Sequence, residues 1–145
     1  MRIAVIADTH DRLPAHVLHA IADADEIWHL GDVCSTAIED RLVSTGCPLR
    51  IVRGNCDDYS GWPLTLDFDL EGFRILLIHV PPRVAPPGVQ LLFHGHTHVP
   101  RNERVGHTRF YNPGCITRPN RGAPASYAWL ELQYGAEPSW RLVLV

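Results

Sequence analysis

The chain of 145 residues contains no lysine: all thirteen positive side chains are arginine, spread along the sequence rather than massed into a stripe. At a formal net charge of −3, it lacks the electrostatic footprint by which a protein tracks a phosphate backbone, which disfavours duplex nucleic acid as a partner. No apolar run approaches the ~18 residues that a membrane span needs, and Asp8 interrupts the stretch MRIAVIADTH where a leader would stay apolar. No membrane partner is expected, and the expected location is the cytoplasm. The four cysteines, Cys34, Cys47, Cys56 and Cys115, form no C-x-x-C pair. A domain of this size buries roughly 68–70% of its unfolded surface and needs no disulfide framework, so reduced thiols are expected. Linkers, repeats and low-complexity tracts are missing too, which favours one domain over residues 1–145.

What the chain does have is a recurring strand followed by a polar turn. Residues 2–7 (RIAVIA) are apolar and β-branched and stop at Asp8. A helix is predicted over 13–24, with Pro14 in its first turn and Val17, Leu18 and Ile21 at three-to-four spacing. Residues 26–30 (EIWHL) form a second strand ending at Gly31-Asp32. Ser35 then caps a helix bearing Ile38, Leu42 and Val43, and residues 49–52 (LRIV) end at Gly54-Asn55-Cys56-Asp57. Strand, helix, strand, helix, strand implies parallel pairing with right-handed crossovers, and such sheets bind ligands at the carboxyl ends of their strands.

The second half is richer in strands. Residues 63–70 and 73–80 flank Glu71-Gly72 as a hairpin, and 91–94, 108–111, 127–132 and 140–145 are further candidates. The predicted class is therefore α/β, two packed mixed sheets flanked by helices.

The chemistry-bearing residues stand at the strand ends. Asp8-Thr9-His10 spaces a carboxylate and an imidazole by two, and extended period-2 geometry would send both to one side. Asp32 offers two oxygens able to bridge two cations, and Asn55 offers a neutral amide oxygen. His79 ends the apolar run 74–78, and Gly95-His96-Thr97-His98 presents two imidazoles at spacing two. Singly, each has a plain structural alternative as a turn residue or a hydrogen-bonded core histidine. Their order is more telling, because four of the five segments directly follow a predicted strand.

That order, D-x-H, GD, GN, a strand-terminal H and GHTH, resembles the calcineurin-like metallophosphoesterase superfamily, in particular its small phosphodiesterase branch, to which the retromer small subunit is also similar. The resemblance extends to Asn112-Pro113-Gly114-Cys115. It implies a sandwich of two sheets holding two divalent ions. Asp8, His10, Asp32 and His98 would hold the first, and Asp32, Asn55, His79 and His96 the second, with Asp32 as the bridge. Manganese is expected, with iron, nickel or zinc as alternatives for a donor set without thiolate. The implied reaction is hydrolysis of a small phosphoester, a nucleotide being one candidate, by a hydroxide that the two ions share. Asp32, Asn55 and His96 are the expected catalytic residues, and Asn55, Cys56 and Arg83 the expected substrate contacts. Self-association is left open.

Two departures from the family pattern stand out. Cys56 occupies the place where the wider superfamily has a histidine, and a thiol with pKa near 8.5 is a poor acid for a leaving group. After His79, the family's Gly-His and helix give way to Val80-Pro81-Pro82-Arg83-Val84-Ala85-Pro86-Pro87, whose four prolines exclude a helix. The crossover helix is expected to be missing, with a rearranged sheet edge as one consequence of so short a connection. The competing functions are a weak or inactive protein-binding scaffold of the same fold, and a phosphomonoesterase or nucleotide pyrophosphatase.

Overall fold

A computed structural model describes the whole of Met1–Val145. Its elements in chain order are β1 (Arg2–Ile6), α1 (Ala15–Ile21), β2 (Glu26–His29), α2 (Thr36–Val43), β3 (Leu49–Ile51), β4 (Thr65–Leu70), β5 (Phe73–Ile78), β6 (Leu91–Phe93), β7 (Arg101–Val105), β8 (Thr108–Asn112), β9 (Ser126–Glu131) and β10 (Ser139–Leu144). They form two five-stranded mixed sheets, ordered β10-β9-β1-β2-β3 and β4-β5-β6-β8-β7. No helix is long and apolar enough to cross a membrane.

Strand alternation explains the layering. On β1, Ala4 and Ile6 join Ile27, Ile51 and Trp129 to face Val17 and Ile21 of α1 and Ile38 and Leu42 of α2. The opposite set, Ile3, Val5, Trp28 and Leu130, meets Ile75, Leu77, Leu91 and Phe93 of the second sheet. Strands β1, β2 and β9 thus bury both faces, as the inner strands of a covered sheet must, while β10 at the sheet edge stays largely exposed. Trp28 sits at the centre of the sandwich, edge-on to Phe68 and Phe93 at 5.7 and 5.2 Å.

The expected pairing β1–β2–β3 is parallel as read. Helix α1 is shorter than the predicted 13–24. Pro14, with ψ 140°, is extended and precedes the first turn instead of lying within it. At the other end the helix stops at Ile21, and Asp25 beyond it bonds with Arg2, its carboxylate accepting the Arg2 N–H at 2.7 Å and its own N–H reaching the Arg2 carbonyl at 2.9 Å. Strand β7 has no counterpart among the predicted strands. Its sequence RNERV is charged and mostly exposed because it is a sheet edge, where charge blocks further pairing.

The crossover helix before β6 is indeed missing, yet the sheet edge is not rearranged: β5 pairs with β6 in parallel. The proline segment instead lies across the outer face of the second sheet, where Ala85 and Val89 pack with Leu76, Leu92 and Phe110. Its exit is stitched into two strands, β5 and β8. The Gln90 N–H donates to the Arg74 carbonyl at 3.0 Å, the Arg109 N–H to the Gln90 carbonyl at 2.8 Å, and the Thr108 hydroxyl to the Val89 carbonyl at 2.6 Å.

Candidate metal centre

The loops after β1, β2 and β3 carry Asp8 to His10, Asp32 and Asn55, and those after β5 and β6 carry His79 and His96 to His98. Backbone bonds tie these loops together before any ligand is considered. The Asp8 N–H donates to the Gly31 carbonyl at 3.0 Å, the His10 N–H to the Asp32 carbonyl at 2.9 Å, and the Gly95 N–H to the His79 carbonyl at 3.1 Å. Two glycines are set by close approach: a Cβ at Gly54 would collide with the Asp32 carboxylate and backbone nitrogen, and one at Gly95 would stand 2.8 Å from Asp8 Oδ2.

The convergence of Asp8 and His10 does not come from extended alternation. Both are left-handed, at φ 53° and 45°, as are Asp32 at 56°, His96 at 70° and His98 at 58°. Five of the seven candidate ligands therefore hold a conformation costing of order 1–3 kcal/mol each, a kind of strain that gathers at functional sites. The turns, and not strand geometry, aim the side chains.

One ligand atom each from Asp8, His10, Asp32 and His98 fits within 4.8 Å of the others. His98 Nε2 lies 3.3 Å from Asp8 Oδ1 and 3.2 Å from His10 Nε2, and His10 Nε2 lies 3.7 Å from Asp32 Oδ2. Beside this group, Asn55 Oδ1 is 2.9 Å from His79 Nε2 and 3.0 Å from His96 Nδ1, while His79 Nε2 is 3.3 Å from Asp32 Oδ2. Asp32 touches both groups.

The tautomers are dictated from outside. His79 Nδ1 faces the Leu30 carbonyl at 2.7 Å and His98 Nδ1 the Arg118 carbonyl at 2.6 Å. A carbonyl only accepts, so each Nδ1 carries a hydrogen, and Nε2 is the ring atom turned toward the carboxylates. A ring nitrogen that close to a carboxylate oxygen needs a proton or a metal cation between the two, so the same geometry serves a hydrogen bond or a shared ion. A donor set of imidazole nitrogens, carboxylates and one amide oxygen, with outer hydrogen bonds fixing the rings, fits divalent first-row ions.

Residues 1–135 match the model of the calcineurin-like phosphoesterase superfamily domain. The chain belongs to that family. Phosphodiesterase YfcE of Escherichia coli strain K12 is 31% identical to it over 161 aligned residues, covering 90% of this chain and 88% of the relative. A solved structure of E. coli YfcE, described as a phosphoesterase, superposes with TM-score 0.79 at 28% identity over 100% of both chains. Vps29 of Entamoeba histolytica, solved with zinc, reaches TM-score 0.79 at 22% identity over 99% of each chain, a likeness of fold alone.

In this calcineurin-like chain the two carboxylates are pushed apart. Burial drives the Asp8 carboxyl up to about 6 against the pull of His79 and His98. Burial also presses on Asp32, but its hydrogen bonds with His79 and with the Cys56 N–H win and hold it well below the usual carboxylate range. His79 is raised, because Asp32, the Leu30 carbonyl and Asp8 outweigh the burial that would lower it.

The remaining expected site residues are distributed unevenly. Cys56 is exposed at the centre's rim, its N–H donating to Asp32 Oδ1 at 2.9 Å, its Sγ 3.6 Å from Asn55 Nδ2. Arg83 is exposed on the proline segment and lines neither of two hollows beside the centre. The first hollow, about 490 Å³, runs along His96, Thr97, Arg101 and Arg121. The second, about 340 Å³, borders Asn55 and His79 and is walled by Leu64, Ile78 and Val80.

Two residues did not stand out in the sequence. Asp57, read only as the end of a motif, is a hub: its carboxylate accepts the N–H groups of Asp32, Gly54 and Cys34 at 2.9, 2.7 and 2.7 Å. Asn112, read as the start of the Asn112-Pro113-Gly114-Cys115 segment, is fully buried and holds the GHTH loop. Its Nδ2 donates to the Gly95 carbonyl and Thr97 Oγ1, both at 3.0 Å, while its Oδ1 accepts the Gly114 N–H at 2.8 Å. The Asx-turn spacings G-N-C-D and N-P-G were the available signals.

Proposed function

We propose that residues 1–145 act as a single-domain, metal-dependent phosphodiesterase that hydrolyses a small phosphoester. The observation that carries this reading is the convergence of seven nitrogen and oxygen donors, Asp8, His10, Asp32, Asn55, His79, His96 and His98, with ring nitrogens turned inward. In this assignment Asp8, His10, Asp32 and His98 hold one divalent ion, Asp32, Asn55, His79 and His96 hold the other, and manganese is the working choice. When bound, such a pair polarises phosphoryl oxygens and makes hydroxide available at neutral pH.

The chain's own groups supply orientation. Asp32 spans both donor groups and is fixed by the Cys56 N–H, so its oxygens cannot rotate away. Asn55 turns its amide oxygen inward and keeps Nδ2 toward the cleft, where only the Cys56 thiol touches it, leaving an N–H for a phosphoryl oxygen. His96 is exposed and forms the border between the centre and the larger hollow, so it faces the incoming ester. Cys56 is a poor proton donor, because burial and the nearby Asp32 charge raise its thiol pKa further. Activated aryl phosphodiesters should therefore outrun simple alkyl esters; the reverse order would refute the thiol assignment.

The deciding experiment is manganese-dependent hydrolysis of an aryl phosphodiester by the wild type, Asp32→Ala and His98→Ala. Loss of activity in both variants is the expected result. Manganese bound without turnover in the wild type would instead favour the scaffold reading that the Vps29-like fold admits. Mono-, di- and pyrophosphate esters compared in the same assay separate the phosphodiesterase from its monoesterase and pyrophosphatase alternatives.

A further inference from the structure

We infer that the hollow of about 490 Å³ beside His96 is a subsite for a second phosphoryl group on the substrate, recognised by Arg101 and Arg121. This rests on the phosphoesterase reading above. Two guanidinium groups, Asn120 and Thr97 line the cavity, and no acidic side chain does. Arginine is the side chain best matched to phosphate, because its fork of N–H donors binds two oxygens at once.

Arg101 is held by side-chain contacts, whereas Arg121 is placed by its backbone turn. Arg101 stacks 4.5 Å over Phe110, donates through Nε to Glu103 at 2.8 Å, and approaches His94 Nε2 with Nη1 at 3.4 Å. His94 is buried, and its Nδ1 bonds the Gly95 carbonyl, so its Nε2 is the acceptor for that guanidinium. These contacts leave Nη2 for a ligand. Arg121 stands in a tight turn closed by the Ala123 N–H on the Asn120 carbonyl at 2.9 Å, with φ 50° at Arg121 and 74° at Gly122. Such turns favour asparagine or glycine at both central positions. An arginine there carries a backbone penalty, and although its N–H donates to Asn120 Oδ1 at 2.8 Å, any residue could make that bond, which points to its side chain as the reason.

The turn is also coupled to the centre. The Asn120 N–H donates to the His98 carbonyl at 3.2 Å, and the Arg118 carbonyl fixes His98 Nδ1. With His96 as the wall common to both, an ester held at the centre extends into the basic cavity without crossing another element. The fitting substrate is a phosphodiester in which one ester arm bears a further phosphate.

The test uses two esters that differ in one group: the p-nitrophenyl ester of thymidine 5′-phosphate, and the same ester carrying a 3′-phosphate. The manganese-loaded full chain is expected to favour the second by about tenfold in kcat/KM, the effect of one charge-assisted phosphate contact. That ratio should fall to about threefold in Arg121→Asn and to near one in Arg101→Gln/Arg121→Asn. Arg121→Asn places a residue suited to the turn, so its melting temperature should equal or exceed the wild type's, which separates lost recognition from lost folding. Equal rates on the two esters, or a preference that survives both variants, would overturn the subsite. If neither ester is cleaved although manganese binds, the phosphoesterase reading has failed, and calorimetry decides the cavity by itself. Thymidine 3′,5′-bisphosphate should bind about tenfold tighter than the 5′-monophosphate in the wild type alone, and equal affinities would end the proposal.

Discussion

At the scale of single residues, the centre depends on groups that would never touch a metal. Asp57 is the clearest, since its carboxylate gathers three backbone N–H donors from two loops, each a charge-assisted bond worth about 1.5–3 kcal/mol. Asp57→Ala would leave those donors to water and free the Asp32 turn from its φ of 56°. We expect destabilisation of about 2–4 kcal/mol, together with a 10- to 100-fold loss of manganese affinity, the usual scale for an outer partner. Denaturant midpoints and calorimetric titration measure the two effects separately, and an unchanged affinity in a folded variant would reduce Asp57 to a purely structural role. His29 is a second such residue. It is fully buried, its Nδ1 accepts the Gly31 N–H at 3.2 Å, and its Nε2 meets the Thr9 hydroxyl at 2.9 Å. Burial drives its pKa down to about 3. The unfolded chain takes up this proton near pH 6.5 while the folded chain refuses it until about 3, so its contribution is lost as pH falls through that window, at up to about 1.4 kcal/mol per unit. Asp8, with its raised pKa, works in the opposite direction. The comparison is therefore differential: His29→Gln should show a shallower loss of stability than the wild type between pH 6.5 and 4.5 in chelator, and parallel curves would contradict the assignment.

At the scale of elements, the proline segment shows how a missing helix is replaced. A parallel crossover has to cover the sheet it passes, and here Ala85 and Val89 do so with no helical hydrogen bonds, helped by the Thr108 hydroxyl on the Val89 carbonyl. Val89 is 7% exposed, and Val89→Ala should cost about 1.5–3 kcal/mol. Aryl-ester kinetics should stay near wild type, because Val89 lines neither hollow; a large change in KM would show that the segment reaches the cleft. The same segment marks the limit of sequence reading. Prolines exclude a helix unambiguously, yet whether the sheet keeps its parallel order depends on bonds such as Gln90 to Arg74 that no periodicity encodes. Strand β7 escaped notice because an edge strand is charged where a core strand is apolar. The candidate ligands were legible because they stand just past strands: Asp8 and His10 as D-x-H, Asp32 and Asn55 after a glycine, His79 at a strand tip, and His96 and His98 as a histidine doublet. What remained hidden was how they are aimed, since left-handed φ at Asp8, His10, Asp32, His96 and His98 is a property of the closed loops, and the roles of Asp57 and Asn112 exist only once those loops meet.

At the scale of the whole molecule, the two sheets contribute candidate ligands that neither could assemble alone. Asp8, His10, Asp32 and Asn55 come from loops of the first sheet, and His79, His96 and His98 from loops of the second. A cation bound among them bridges the halves of the sandwich, so binding and folding are linked. An ion at 100 times its dissociation constant adds about 2.7 kcal/mol to the folded state, which for a domain of this size raises Tm by about 5–11 °C. The ion must also displace protons. Asp8 is held at about 6 and His79 is raised, so in the metal-free chain both retain protons at pH values where free groups would have released more of theirs. Affinity is accordingly expected to fall as pH drops through 6, with protons released on binding over that same range. Thermal melts with manganese and with chelator, at pH 7.5 and at pH 5.5, measure this directly. The shift should be large at the higher pH, smaller at the lower, and missing in Asp32→Asn, whose bridging charge is gone. A melting temperature indifferent to manganese at pH 7.5 would mean that the converging lone pairs are satisfied by protons alone, and the metal assignment would then fail along with the hydrolysis it supports.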